Sequence, residues 1–445
     1  MTWTDYLDRR ILPYLGLIFG LFATTPLVWV RLFGTSIAPY HVFALGLIMA
    51  VAITPGAIDT LQRLIKSGKL IWAACGLLAV AMMISFAGAT IIFEPFFFAK
   101  YVAFVATALA TGMLFFITIR RGGFPVVALM PAVAGVIFVA FISVQFSLAS
   151  IDPIEVLTLA IARVDPNIVM NQLFRAAFAA SNDDVLFRSN LKQSLSFAFI
   201  VMIPIGLLAL SYAKFANNAV KAIALTGIGF AVVMTIAPFS RAAWLALFLI
   251  GLCYAISYVR TAVGLSIFAG ILGLGIPMLF VLGGNSSLFQ LIEARLTASD
   301  SLDARVFTAE EHWQAIGESP FLGRSEIVEG WAHNVIIDAW SAFGILGMVA
   351  ALLFFLAMLG MAIKALILTL SAPLGQRKVH ATIAALLCPA LVRMVTAPNV
   401  TIDFPVWVGL GMALALAADA WGEATTGDHL RASSPQPRGR PAFQV

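Results

Sequence analysis

From Gly344 to Ile363 the chain carries no polar side chain at all. A helix rising ~1.5 Å per residue crosses the ~30 Å hydrocarbon of a bilayer in about 20 residues. Backbone N–H and C=O groups find no water there, so only helices or closed barrels span it. The run is one of about twelve of that length scale. They centre on residues 11–30, 37–55, 70–92, 96–118, 124–147, 195–213, 222–239, 242–259, 262–283, 344–363, 380–396 and 404–421. Pro13, Pro26 and Pro39 interrupt the first two, which spanning helices tolerate when neighbours satisfy the freed carbonyls. Composition agrees: 61% of residues are hydrophobic and 11% charged, against ~45–50% and ~25% in soluble domains. So few charges cannot coat a water-soluble surface, which excludes a soluble enzyme, a disordered chain and a nucleic-acid binder. The expected fold is an all-α polytopic integral membrane protein, with one transmembrane domain over residues 1–421.

Basic residues set the orientation, because short cytoplasmic loops collect lysine and arginine. Arg9–Arg10, the Arg63/Lys66/Lys69 loop, Arg120–Arg121, Lys214/Lys221, Arg260 and Lys364/Arg377/Lys378 fall on alternate turns of a twelve-span path. Both termini then lie inside. The excess of 27 basic over 22 acidic residues is of the kind such loops supply and needs no nucleic-acid partner. Met1–Arg10 leads into a full-length span with no A-x-A site, so this end reads as a first span and not a cleaved signal. Two long segments fall outside, residues 148–194 and 284–333. In the first, Asp165-Pro166 is a cap and first-turn pair, and Ile168, Val169, Leu173, Ala176 and Ala177 form a stripe suited to a membrane surface. Residues 422–445, rich in arginine and proline, read as a disordered cytoplasmic tail.

Chemistry concentrates between Leu302 and Gly347. Asp303 can cap a helix that Gly317 and Pro320 end; on it Arg305, His312 and Ile316 share a face. Next come Ser319-Pro320-Phe321-Leu322-Gly323, then His333-Asn334 just before the tenth span, at the outer membrane–water boundary. Gly344 and Gly347, one turn apart, let that span approach a neighbour closely.

This stretch resembles the O-antigen ligase and polymerase superfamily of bacterial envelope glycosyltransferases. Its ligase pattern His-[Asn/Ser/Gln]-x9-Gly-x-x-Gly is matched by His333, Asn334, Gly344 and Gly347. The run from Arg305 to Pro320-x-x-Gly323 looks like the family's outer loop, and Ser240-Arg241-Ala242-Ala243 like its upstream Ser-Arg motif. The match covers residues 235–350 by motif and the remainder by span count. Arg324 and Ser325 depart from the family's usual Gly-x-Gly, and residues 148–194 have no counterpart. The resemblance implies transfer of a glycan from an undecaprenyl-diphosphate carrier to an acceptor sugar, on the periplasmic side of the inner membrane. The acceptor would be lipid A-core for a ligase, or a growing polysaccharide for a polymerase.

The residue types suit that task. Arginine forks hold diphosphate oxygens bidentately and stay charged near lipid, a role for Arg241 and Arg305, with Arg188 and Arg295 as helpers. A histidine of near-neutral pKa is a suitable base for the acceptor hydroxyl, a role for His333. Asn334 or Asp338 would orient it or the sugar. With arginines on the diphosphate no metal or other cofactor is required, and the outer segments carry no Asp-x-Asp.

Plainer readings stand beside these. Arg241 can snorkel to headgroups, Arg305 can pair with Asp300, and Glu310-Glu311-His312 reads as a solvated helix face. Asp184 and Arg188 can pair one turn apart. Lys100, inside a span, needs a cavity, a partner or the interface. Cys75, Cys253 and Cys388, far apart and without metal spacing, read as small hydrophobes. A transporter or lipid flippase is the alternative class, and would place ionisable residues or paired broken helices near the midplane of two similar halves.

Overall fold

The computed structural model describes residues 30–32, 35–37, most of 46–88, 95–148, 191–258 apart from 216 and 237–239, 300–323, 334–396 and 404–422. The expected span 11–30 apart from Val30, the span 262–283, more than half of 37–55, residues 149–190 of the segment 148–194, and the tail from 423 lie outside the described residues.

The all-α expectation has one exception. β1 (Val30–Leu32) and β2 (Thr35–Ile37) pair antiparallel, with Arg31 opposite Ser36, at the turn between the first two expected spans. The helices are α1 (Ala57–Ser67), α2 (Lys69–Gly88), α3 (Pro95–Arg120), α4 (Phe124–Leu148), α5 (Leu191–Tyr212) and α6 (Asn218–Ile236). They continue with α7 (Arg241–Tyr258), α8 (Asp300–Glu318), α9 (Val335–Ser371), α10 (Leu374–Thr396) and α11 (Phe404–Gly422).

Helices α2–α7 and α9–α11 fall on expected spans. Four described stretches are by themselves long and apolar enough to cross a membrane: Tyr101–Arg120, Asn218–Ile236, Val335–Ser371 and Gln376–Thr396. The bent pair α1–α2 makes up to 5 if counted as one span. Shorter apolar stretches, Phe124–Ala140, Ser196–Tyr212, Arg241–Ser257 and Pro405–Trp421, are described within α4, α5, α7 and α11. Among the described residues, then, four to five spans stand where the sequence suggested more.

The loop expected around Arg63 and Lys66 is a helix. On α1, Thr60 and Leu64 turn inward while Arg63 and Lys66 are exposed, and Lys69 opens α2. Between the two helices the chain turns by 91°. Gly68 there lies against Leu414 of α11 with no space for a Cβ. Ser67 Oγ holds the corner through the carbonyls of Leu64 (2.8 Å) and Leu414 (3.2 Å).

A helix that is apolar all round belongs inside a bundle. In α5, Phe197, Phe199, Ile200, Val201 and Met202 are fully enclosed, as are Ile383–Ala385 of α10 and Ala413–Ala415 of α11. These three helices form the centre. Around them, α6 exposes Ile223, Leu225 and Val233, and α9 exposes Leu353, Leu356, Ile363 and Ile367. Apolar surface on this scale is what lipid covers.

Side-chain contacts fix the directions. Lys378 Nζ lies 3.3 Å from Ser211 Oγ, while the Arg393 guanidinium sits 4.8 Å over the Phe197 ring, so α5 and α10 run antiparallel. Tyr101 packs on Trp407 and Arg120 Nε bonds Asp419 at 2.7 Å, so α3 and α11 run parallel. Short connections place α7 parallel to α5 and α9 antiparallel to α10. One end of the bundle, the basic end, therefore collects Arg120, Arg121, Lys214, Lys364, Arg377 and Lys378. The other holds Arg241, Asn334, Arg393 and α8.

Candidate functional site

At that second end, α8, a five-residue turn and the first turns of α9 form one packed unit. α8 begins at Asp300, one turn earlier than a cap at Asp303 would set it. It ends at Glu318, where Ser319 and Pro320 take over. Ser319 Oγ donates to the Gly323 carbonyl at 3.0 Å and closes the turn. Gly323 adopts φ 78°, a left-handed conformation that glycine alone enters cheaply.

The Gly-x-x-Gly pair does something other than expected. α9 breaks at Gly344, with φ 65° and ψ −164°, a region open almost only to glycine. The groups pressed against Gly344 are the Phe321 carbonyl and the Leu322 nitrogen, while a Cβ on Gly323 would meet the Ala342 carbonyl and the Gly344 nitrogen. Turn and break thus seat each other backbone to backbone. Gly347 meets the Ala339 carbonyl of its own helix across the break. These glycines serve a kink and a docked turn, and the close approach is not to a neighbouring span. Ser85 of α2 donates to the Ala342 carbonyl at 3.1 Å, a partner for backbone beside the break. The Trp340 indole donates to the Pro320 carbonyl at 3.1 Å, and Trp313 stacks edge-on against Trp340.

Asn334 is the N-cap of α9. Its Oδ1 accepts from the backbone N–H of Ile336 at 3.0 Å and of Ile337 at 3.4 Å, the usual use of asparagine at this position. The amide oxygen is thereby occupied by the helix itself.

Asp338 faces His312, and both are buried. Oδ1 stands 3.7 Å from His312 Nε2, and on the other side of the ring Nδ1 is 2.7 Å from Ser341 Oγ. Ser341 Oγ also reaches the Asp338 carbonyl at 3.1 Å. The expectation that His312 sits on a solvated face is overturned: it is 3% exposed, Asp338 5% and Ser341 3%. Beside the exposed Glu310 the imidazole looked polar, but α8 turns that position onto α9. Tautomer follows from the hydroxyl's single proton. If it goes to the Asp338 carbonyl, Nδ1–H must be the donor to Oγ; if it goes to Nδ1, the ring proton sits on Nε2, facing the carboxylate. The cluster joins α8 to α9.

Arg241 occupies the first position of α7. The Ala243 amide points at Ser240 Oγ from 3.4 Å, which accounts for the serine of the Ser-Arg pair as a cap. Arg241 lies on the helical stripe of Leu245 and Phe248, both exposed, and off the buried stripe of Ala243, Ala246, Ile250 and Cys253. Arg305 lies on α8, about two turns before His312. His333, Arg188 and Arg295, and the side chain of Arg305, lie outside the described residues.

Sequence reasoning passed over Arg393, 4% exposed in the last turn of α10 at this same end. An ionisable residue inside an apolar run is by default a functional candidate, and that signal was present. It also read the cysteines as remote from one another, whereas the thiols of Cys253 and Cys388 lie 3.8 Å apart between α7 and α10. Among the described residues no three His, Cys, Asp or Glu side chains converge as metal ligands do.

No protein-family model matches the sequence, and no curated protein is detectably similar to it.

Proposed function

We propose that the chain is a membrane glycosyltransferase of the O-antigen ligase kind. It takes a glycan from an undecaprenyl-diphosphate-linked donor and passes it to an acceptor sugar, lipid A-core first among acceptors, on the periplasmic side of a bacterial inner membrane. The end holding α8, Asn334, Arg241 and Arg393 is then periplasmic, the basic end cytoplasmic, and the undescribed apolar runs complete about twelve spans.

One observation carries the reading: Gly323 and Gly344, from two separate parts of the pattern, touch each other through backbone. Pro320 joins the same contact through Trp340. Residues that match a family only by spacing have no reason to meet, whereas residues that build one site do. In the reaction the acceptor hydroxyl oxygen attacks the anomeric carbon as the bond to the diphosphate oxygen breaks. The hydroxyl proton passes to His333, and the charge left on the lipid diphosphate is met by Arg305 and Arg241, with Arg188 and Arg295 beside them. Asn334 contributes by starting α9, and Asp338 by fixing His312, in place of the direct roles first considered for them.

The break in α9 and the bend of α1–α2 would also suit a transporter. But Gly344 stands at the edge of the apolar run and not within it, as a midplane site would require. Deleting the gene and complementing with His333→Ala tests the proposal: lipopolysaccharide should remain as uncapped lipid A-core while the variant is inserted normally. Core capped by one repeat unit would indicate a polymerase instead. Full capping by the variant refutes His333 as the base.

A further inference from the structure

At the opposite, basic end, two side chains leave buried polar atoms unused, and an exposed lysine of a third helix lies over one of them. His380 of α10 is 5% exposed, and its Nδ1 has no hydrogen-bond partner. Trp421, in the last turn of α11, has a buried Nε1 that is equally unmet. Lys364 of α9 lays its ammonium 4.0 Å over the Trp421 ring. The two-residue turn between α9 and α10 brings His380 level with Lys364 along the paired helices. An indole N–H and an ammonium can only donate, and imidazole Nδ1 donates in one of its forms. The indole and the ammonium therefore cannot satisfy each other, and neither of them bonds His380 Nδ1, which in its other form could accept.

What they lack is an acceptor-rich anion. Among the described residues the acid on α11, Asp419, is already taken by Arg120 at 2.7 Å. The neighbouring cations are engaged elsewhere: Arg377 with the carbonyls of Ala372 and Leu370, Lys378 with Ser211. We propose that Lys364, His380 and Trp421 form a binding site for a phosphate-type anion, the exposed lysine arm swinging off the indole to admit it. Beside the site Leu356, Ile363, Ile367 and Leu370 are exposed along one stripe of α9. They offer a track for acyl chains, so the phosphate of an anionic phospholipid fits this place. The site stands independently of the glycan-transfer reading.

The test uses the full chain purified in neutral detergent, with thermal unfolding followed on adding phosphatidylglycerol, phosphatidylcholine or inorganic phosphate. Phosphatidylglycerol should raise the midpoint by about 3 °C or more, as a ligand of the folded state does, with phosphatidylcholine without effect. Trp421→Phe keeps an aromatic ring beneath Lys364 but removes the N–H with part of the indole, so its midpoint without lipid is measured beside it. It and Lys364→Met should each cut the shift at least by half. Inorganic phosphate reproducing the shift would keep the site and name a free anion as its occupant. Equal shifts with both lipids, or a full shift in both variants, would overturn it.

Discussion

Replacing Gly344 by alanine puts the mutual seating of turn and helix break to a severe test. The residue sits at φ 65° and ψ −164°, where an L side chain costs about 1–3 kcal/mol in backbone strain. The new methyl would also collide with backbone, the Phe321 carbonyl and the Leu322 nitrogen, and backbone cannot rotate aside as a side chain can. Turn and break must part, which exposes the Trp340–Pro320 hydrogen bond and adds about 1 kcal/mol. A total loss of roughly 2–4 kcal/mol is expected from these two terms. Gly360→Ala, on the same helix with nothing within 4 Å of its Cβ position, should be neutral or stabilising by up to about 1 kcal/mol. Equilibrium unfolding of both variants in mixed micelles, read by tryptophan fluorescence, gives the comparison. If Gly344→Ala is as stable as Gly360→Ala, the break is not the strained, glycine-dependent joint inferred here.

Further expectations concern the same end of the bundle and its core. Removing one member of the buried His312–Asp338 pair, as in Asp338→Leu, should cost about 3–5 kcal/mol. The double variant with His312→Leu should cost less than the sum by about 1–3 kcal/mol in an unfolding cycle; strict additivity would mean the two do not interact. Asn334→Ala should lose about 1 kcal/mol of stability through the cap, whereas Asn334→Asp, which still caps, should lose little. If Asn334→Asp is stable but fails in glycan transfer, the amide has a second task beyond capping. The thiols of Cys253 and Cys388, 3.8 Å apart, need to close to ~2.05 Å to bond. The membrane-permeant dithiol oxidant diamide should link them, with the loss of two hydrogens by mass and Cys75 untouched; failure in the folded protein would refute the close α7–α10 contact.

How much of this could be read from the chain varies with the kind of signal. The helices from Lys69 onward announce themselves because a membrane run needs only length and apolarity, whatever its neighbours do. α1 stayed hidden because its inward stripe is short, Thr60 and Leu64, and sits among basic residues that also suit a loop. The Gly344 pattern was visible, but its meaning was not. The same spacing serves helix packing or a kink, and the choice depends on a turn docking from 21 residues away, Gly323 against Gly344. His312 misled because burial of one face of α8 is decided by α9. The meeting of Cys253 with Cys388, 135 residues apart, leaves no trace in local sequence.

α9 has 37 residues, which at ~1.5 Å each makes a rod of about 55 Å. The hydrocarbon it would cross is only ~30 Å thick. Even after the portion before Gly344 is set aside, Gly344–Ser371 makes about 42 Å, roughly two turns more than an upright crossing takes. Those turns carry Ile367 and Leu370, exposed on the same apolar stripe, so the helix would take up its extra length by tilting, as long spans do. A reporter grafted onto Ala372–Pro373, the two-residue turn into α10, would then follow the tilt of the paired helices.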